Sequence, residues 1–145
     1  LSKYLADTSI WAWSRKSNRP DIREKLALRT EAGEILTCAP VVIEALHWAD
    51  SRAAYERYLR EVFLPLDRIP VDSGSVERAL GVQIELARGG SDGNHRRPAV
   101  DFLIAAAAEA AGPDVILWCF DRDLEVICKH TGQPCEAESS TGAGH

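Results

Sequence analysis

What this 145-residue sequence lacks narrows its possibilities before any motif is read. No run approaches the roughly 18 uncharged apolar residues that a membrane span needs, and the opening LSKYLADTSIW has no extended apolar core of a secretory signal. Neither a membrane span nor a secretory signal is therefore expected, and the expected location is the cytoplasm. The four cysteines, Cys38, Cys119, Cys128 and Cys135, lack the density and pattern of a disulfide scaffold and are expected to be free thiols in a reducing cytosol. Positive charge is in deficit: 17 Lys and Arg against 22 Asp and Glu leave a net charge of −5, which argues against binding nucleic acid through bulk electrostatics. A local basic patch, or an acidic site that recruits a divalent cation, stays compatible with that balance. Methionine is absent throughout, position 1 included. The expectation is either a non-standard initiation codon written as Leu1 or a few missing N-terminal residues.

What is present is ordinary for a globular chain: 46% hydrophobic and 27% charged residues, enough length for one domain with a closed core, no internal repeat and no dividing linker. KYLAD reads as a short strand ending at Asp7, followed by a helix TSIWAWSRK capped by Thr8 or Ser9. Pro20 opens a second helix with Ile22, Leu26 and Arg29 at helical spacing and a stop at Gly33. EILTCA is a second strand, and Pro40 opens a third helix. SRAAYERYLREVF is amphipathic, with Ala54, Tyr58, Leu59 and Val62 on one face. LPLDRIPV turns or makes a short strand. A further helix follows, capped by Ser73 or Ser75 and closed by a double glycine. The polar loop SDGNHRR leads into the alanine-rich helix, the strand DVILWCF, an acidic turn and a short helix. Strands alternate with helices and are continuously apolar, which implies an α/β fold with a parallel sheet covered on both faces. The domain is expected over residues 1–135, and the segment 136–145 has the composition of a disordered tail.

The alanine-rich stretch raises the chemical question. In RRPAVDFLIAAAAEAAG, Asp101 stands among apolar residues and shares its helix face with Pro98, Ile104, Ala105 and Ala108. Its place in a first helical turn would suit the helix dipole, but that does not explain the apolar face around it. Asp7 follows the first strand and precedes a helix, where a capping role is the plain alternative. Glu44 projects from a helix side shared with Val41, Ala45 and Trp48, although a solvated position would also suit it. Asp121 and Asp123 close a strand, where an acid turn could cap the next helix. Taken together, these acids converge on one edge of the sheet, where open α/β folds bind their ligands. Two like charges about 4–5 Å apart repel by roughly 3–4 kcal/mol at an effective dielectric near 20. Such a cluster needs a cation or partial protonation, and carboxylate oxygens without His or Cys partners select Mg²⁺ or Mn²⁺ over zinc.

The ordered set YLADTS, a glutamate on the helix after the second strand, DFLIAAAAEAAG, and FDRDL after a strand resembles the PIN-domain nucleases, in particular the VapC toxins of prokaryotic toxin–antitoxin pairs. The likeness runs from about Lys3 to the HTGQP segment at 130–134. It implies a three-layer α/β/α sandwich with a central, mostly parallel sheet. It implies that Asp7, Glu44, Asp101 and Asp121 form an acidic quartet holding one or two Mg²⁺ or Mn²⁺ ions, with Asp123 a supporting ligand or an alternative to Asp121. Thr8 and Ser9 would support the first acid. The activity implied is hydrolysis of RNA phosphodiesters by a metal-activated water. The partners implied are the RNA substrate, a small VapB-like antitoxin and a second copy of the chain, with helices at 20–32 and 52–64 as the antitoxin groove.

Around that site, Arg96 and Arg97 in NHRRP could grip backbone phosphates, as could Arg15, Lys16 and Arg19, or they are ordinary surface charge. Trp11 and Trp13 are expected as core or partner-contact aromatics rather than base-stacking platforms. His47, His95, His130 and His145 are scattered and read as structural or surface residues. A zinc site from Cys119, Cys128, His130 and Cys135 is disfavoured by loose spacing and by the apolar strand around Cys119. Two rival functions are weaker. An Asp-nucleophile phosphatase would want a second Asp at the position of Ser9, and an idle PIN scaffold should have lost one of the acids.

Overall fold

A computed structural model describes residues 1–120 and 122–139; Asp121 and residues 140–145 lie outside the described residues. The described strands β1 (Lys3–Ala6), β2 (Ile35–Thr37), β3 (Asp67–Arg68), β4 (Val115–Cys119) and β5 (Cys135–Ala137) form one sheet in the order β3-β2-β1-β4-β5. Each pairing is parallel. The helices are α1 (Thr8–Ser14), α2 (Pro20–Glu31), α3 (Ala39–His47), α4 (Arg52–Tyr58), α5 (Ser73–Gly89), α6 (Ala99–Ala111) and α7 (Arg122–Thr131). The chain winds outward from β1 to β3, then crosses to the other side of β1 for β4 and β5. Right-handed crossovers therefore send α1–α4 over one face and α5–α7 over the other.

The central strands β1 and β4 are four and five residues long, with helices on both faces. Leu5, Leu117 and Trp118 are fully buried, and Ile10 of α1, Ile104 of α6 and Leu124 of α7 close over them. The run of alanines in α6 lets that helix lie close to its neighbours, and it packs against α5, α7, α3 and β4. Gly33 stops α2 with φ +73°, a left-handed conformation that a side chain would resist.

Several local expectations need correcting. Asp72, not Ser73 or Ser75, caps α5, accepting from the Ser75 backbone N–H at 2.9 Å and the Ser75 hydroxyl at 3.1 Å. Position 7, not 8 or 9, is the N-cap of α1, and the Asp7 side chain makes no capping bond there. The helix predicted over 51–63 is α only to Tyr58 and continues as a π-helical turn, Leu59–Phe63. That turn brings Phe63, 3% exposed, into edge-on contact with Trp11 at 5.0 Å. The tail boundary at 135 falls too early, since Glu136 and Ala137 belong to β5 and the ladder pairs them with Trp118 and Cys119. CEA is neither long nor apolar enough to read as a strand from its letters. What holds it is the ladder with β4 and ion pairs to α2. Arg29 grips Glu136 at 2.8 and 3.0 Å, and Lys25 meets Glu138 at 2.6 Å. No described helix is long and apolar enough to cross a membrane.

Candidate active site

The strand order reverses between β1 and β4, and ligands of open α/β sheets bind outside the C-terminal ends of the strands at that switch point. Asp7 stands there. It is one residue past β1, its backbone N–H bonds the Trp118 carbonyl at 3.0 Å, and it is only 2% exposed. Extending the ladder by one residue sets Asp7 between Cys38 and Cys119, and its charge acts on both thiols. Burial, with the charges of Asp7 and Glu44 adding to it, pushes the Cys38 thiol up to about 11. The Cys119 thiol is raised by its hydrogen bond to Cys135 and by burial.

The two hydroxyls after Asp7 do not cap the helix. Ser9 donates to Asp7 Oδ2 in a short hydrogen bond and accepts the Phe120 backbone N–H at 2.9 Å. One serine thereby ties the ends of β1 and β4 together and orients the carboxylate between them. Thr8 donates to Glu44 Oε1 at 2.6 Å, drawing the α3 carboxylate to the start of α1. Glu44 is half-buried on a helix whose Val41 and Ala45 are buried, but Trp48, expected on that same apolar side, is 75% exposed. The sequence named Thr8 and Ser9 as supporting residues; the cross-sheet bond from Phe120 carried no sequence signal.

Asp101 occupies the first turn of α6 and is 4% exposed, with Ile104, Ala105 and Ala108 buried on its face. Taking a carboxylate this far from water costs several kcal/mol unless its surroundings compensate. The N-terminal turn of α6 supplies part of that compensation through its dipole. Asp123 lies in the first turn of α7 and accepts from Arg97 Nη1 at 2.6 Å. Arg97 is further clamped by the Asn94 carbonyl at 3.0 Å and the Asn94 side-chain oxygen at 2.8 Å. Its guanidinium thus serves the protein itself, whereas Arg96 beside it is exposed. Asp121 lies outside the described residues. Among those described, no group of three or more His, Cys, Asp and Glu side chains stands ready to hold a metal ion. The donor chemistry still suits a hard cation: Asp7, Glu44 and Asp101 offer carboxylate oxygens alone.

Other candidates sort away from this edge. His130 bonds Glu85 at 2.8 Å on the surface, and His145 lies outside the described residues. Trp11 is buried in the core, while Trp13 is half-buried and stacks on Phe120 at 4.8 Å and 18°. Arg19, read as a surface cation, is instead 2% exposed. It forks onto Asp21 at 3.0 and 3.1 Å, donates to the Ser139 carbonyl at 2.6 Å, and lies over the Phe120 ring.

Comparison with known proteins agrees with this geometry. The PIN domain family matches residues 4–130. Ribonuclease VapC18 of Mycobacterium tuberculosis is 35% identical over 135 residues, covering 92% of this chain and 93% of that protein. Ribonuclease VapC51 of the same organism is 32% identical over 134 residues, covering 92% and 91%. Among solved structures, DNA-bound VapBC from Salmonella typhimurium superposes with a TM-score of 0.69 at 23% identity, covering 94% of this chain and 98% of that one. FitAB bound to a DNA fragment gives 0.68 at 15% identity, covering 92% and 94%. At those identities the structural matches speak for the fold.

Proposed function

The chain belongs to the PIN-domain family, and from that premise we propose that it is an endoribonuclease toxin of a toxin–antitoxin pair, hydrolysing RNA with a Mg²⁺ or Mn²⁺ ion. The observation that carries the reading is the burial of Asp7 and Asp101, at 2% and 4% exposure, in a fold whose switch point lies at Asp7. Asp7, Asp101 and Asp121 hold the cation, with Asp123 as a supporting ligand and Glu44 completing the acidic quartet. Bound there, the ion supplies Lewis acidity toward the phosphodiester and lowers the pKa of water.

The protein's own side chains do the positioning. Ser9 fixes the rotamer of Asp7, and Thr8 draws Glu44 toward the same helix start. Arg97 holds Asp123 and is a positioning residue, which leaves Arg96 as the cation that reaches substrate phosphates. The names of the relatives support RNA as substrate, and the fold neighbours support a VapB-like antitoxin. The antitoxin's place is the groove between α2 and the π-helical turn, where Trp11, Thr30, Ile35, Val62 and Leu66 line a cavity of about 340 Å³. A second copy of the chain fits the exposed apolar residues Val76, Leu80 and Ile84 of α5.

The test is cleavage of a total-RNA mixture by the purified chain with Mg²⁺ or Mn²⁺, with EDTA, and by Asp101→Asn. Discrete products that require metal and vanish in the folded variant are expected. Equal cleavage by Asp101→Asn or in EDTA would overturn the reading.

A further inference from the structure

Trp13 and Phe120 stand beside the acidic edge, and the reaction proposed above makes no use of them. Phe120 follows β4 directly, and its backbone N–H donates to the Ser9 hydroxyl that itself bonds Asp7. Trp13 comes six residues after Asp7 in α1, so the helix rise sets its backbone about 9 Å along the axis from that of Asp7. The two rings stack at 4.8 Å and 18°. The Lys16 ammonium stands 3.8 Å over the indole. The buried Arg19 guanidinium lies 5.0 Å from the Phe120 centroid and 5.7 Å from that of Trp13, fixed in place by Asp21 and the Ser139 carbonyl.

A pair that only filled the core would be buried, as Trp11 is at 8% exposure against Phe63. Trp13 and Phe120 are instead half-buried, and Lys16 is exposed. Phe120 can occupy one face of the indole, which leaves the other to a group from outside the core. The surroundings favour an anion. Residues 15–29 carry six Lys and Arg against two Asp and Glu, in a chain whose net charge is −5. Three of those cations, Arg15, Lys16 and Arg23, are exposed and make no ion pair among the described residues. An aromatic face with unpaired cations around it matches a nucleotide, whose base is apolar on its faces and whose phosphate is charged.

We propose that the Trp13–Phe120 stack is a nucleobase platform. An unpaired base of the RNA, flanking the phosphate held at the acidic edge, lies on the indole, and Lys16 swings off the ring to that nucleotide's phosphate. The assignment rests on the nuclease reading above and names the part of the substrate that this corner takes. Stacking of a base on an aromatic side chain is stronger than a cation–π contact at an exposed site, so the base displaces the ammonium. Every base has a π-face, so the platform selects single strands rather than one sequence; in a duplex the faces are already stacked on one another. Grip of this kind needs few cations, which suits an acidic chain.

Binding of a labelled, unstructured single-stranded RNA to the full chain in EDTA reads the platform without cleavage. Trp13→Leu is expected to weaken that binding at least ~10-fold, while Trp13→Phe, which keeps a ring, should lose roughly threefold or less. Lys16→Gln, an exposed change, should lower the slope of log affinity against log salt by about 0.7, the share of one phosphate on a single strand. An abasic nucleotide walked along the RNA should find one position that weakens wild-type binding about 10-fold and costs Trp13→Leu nothing further. Equal affinity of wild type and folded Trp13→Leu would overturn the proposal and give the stack to packing or to a protein partner. So would an unchanged salt slope in Lys16→Gln, or an abasic walk with no sensitive position. RNA that is cut but bound without regard to Trp13 sinks this inference alone. Trp13-dependent binding with no cleavage under any metal sinks the nuclease reading instead.

Discussion

The acids at the two ends of this sheet's working life, β5 and the β1/β4 edge, are held by different chemistry. Glu136 and Glu138 accept from the cationic groups of Arg29 and Lys25, so each negative charge meets a positive one at a half-exposed surface. Asp7 and Glu44 accept from the hydroxyls of Ser9 and Thr8. A hydroxyl orients a carboxylate oxygen but brings no countercharge. The first arrangement fastens an edge strand. The second sets carboxylate oxygens in place at a sheet's ligand-binding edge.

Single substitutions at each edge tell the two arrangements apart. Asp101→Asn is expected to cut RNA cleavage by at least ~100-fold, since a lost cation site forfeits several kcal/mol of transition-state stabilisation. Its melting temperature should stay level or rise, because a buried charge has gone. A folded variant that still cleaves at the wild-type rate would place Asp101 with the structural acids. Ser9→Ala comes next. It leaves every charge in place and removes the tie from Phe120 to Asp7, so activity should fall roughly tenfold while stability drops by about 1–2 kcal/mol. Single-turnover cleavage and denaturant melts check the two numbers separately.

Arg97→Gln tests whether Asp123 depends on its clamp. With side-chain exposures of 17% and 36%, the Arg97–Asp123 pair is expected to contribute at most about 1 kcal/mol to stability. A positioning role predicts that kcat falls more than KM rises; a phosphate-gripping role for Arg97 predicts the reverse, read in steady-state cleavage of a short RNA. The smallest effect belongs to Glu136. Burial acts to raise its pKa, but the Arg29 and Lys25 cations outweigh burial and hold the carboxyl below its ordinary 4.5. A depressed folded value means that its contribution is complete above about pH 4.5 and is lost as pH falls through the folded value. Thermal melts of wild type and Glu136→Gln should therefore differ by up to about 1 kcal/mol at neutral pH and converge in acid, with cleavage at pH 7 unchanged. A loss of cleavage there would join β5 to the functional edge.

The sequence made Asp7 and Asp101 stand out for the same reason that their burial does: a lone carboxylate in VDFLIAAAA, or at the end of KYLA, conflicts with its apolar neighbours. Those conflicts are local and can be read in a line of letters. What escaped reading depends on distant chain segments meeting. Ser9 reaches Phe120 across 111 positions, Arg97 reaches Asp123 across 26, and the buried Arg19 meets the Ser139 carbonyl across 120. The π-helical turn after Tyr58 is another case, since an amphipathic stripe looks alike whether the last turn is α or π. The Asp72 cap was missed for a different reason: two serines stood beside it with equal capping propensity, and only the register of α5 decides among them.

The acids at the β1/β4 edge are expected to hold a divalent cation. Titrating Mn²⁺ into the wild-type chain and into Asp101→Asn, by calorimetry without RNA, tests it most directly. The prediction is saturable binding by the wild type, heat reduced to that of dilution in the variant, and an unchanged circular dichroism spectrum for both. Equal binding by the two, or no binding by a folded wild type, would contradict it.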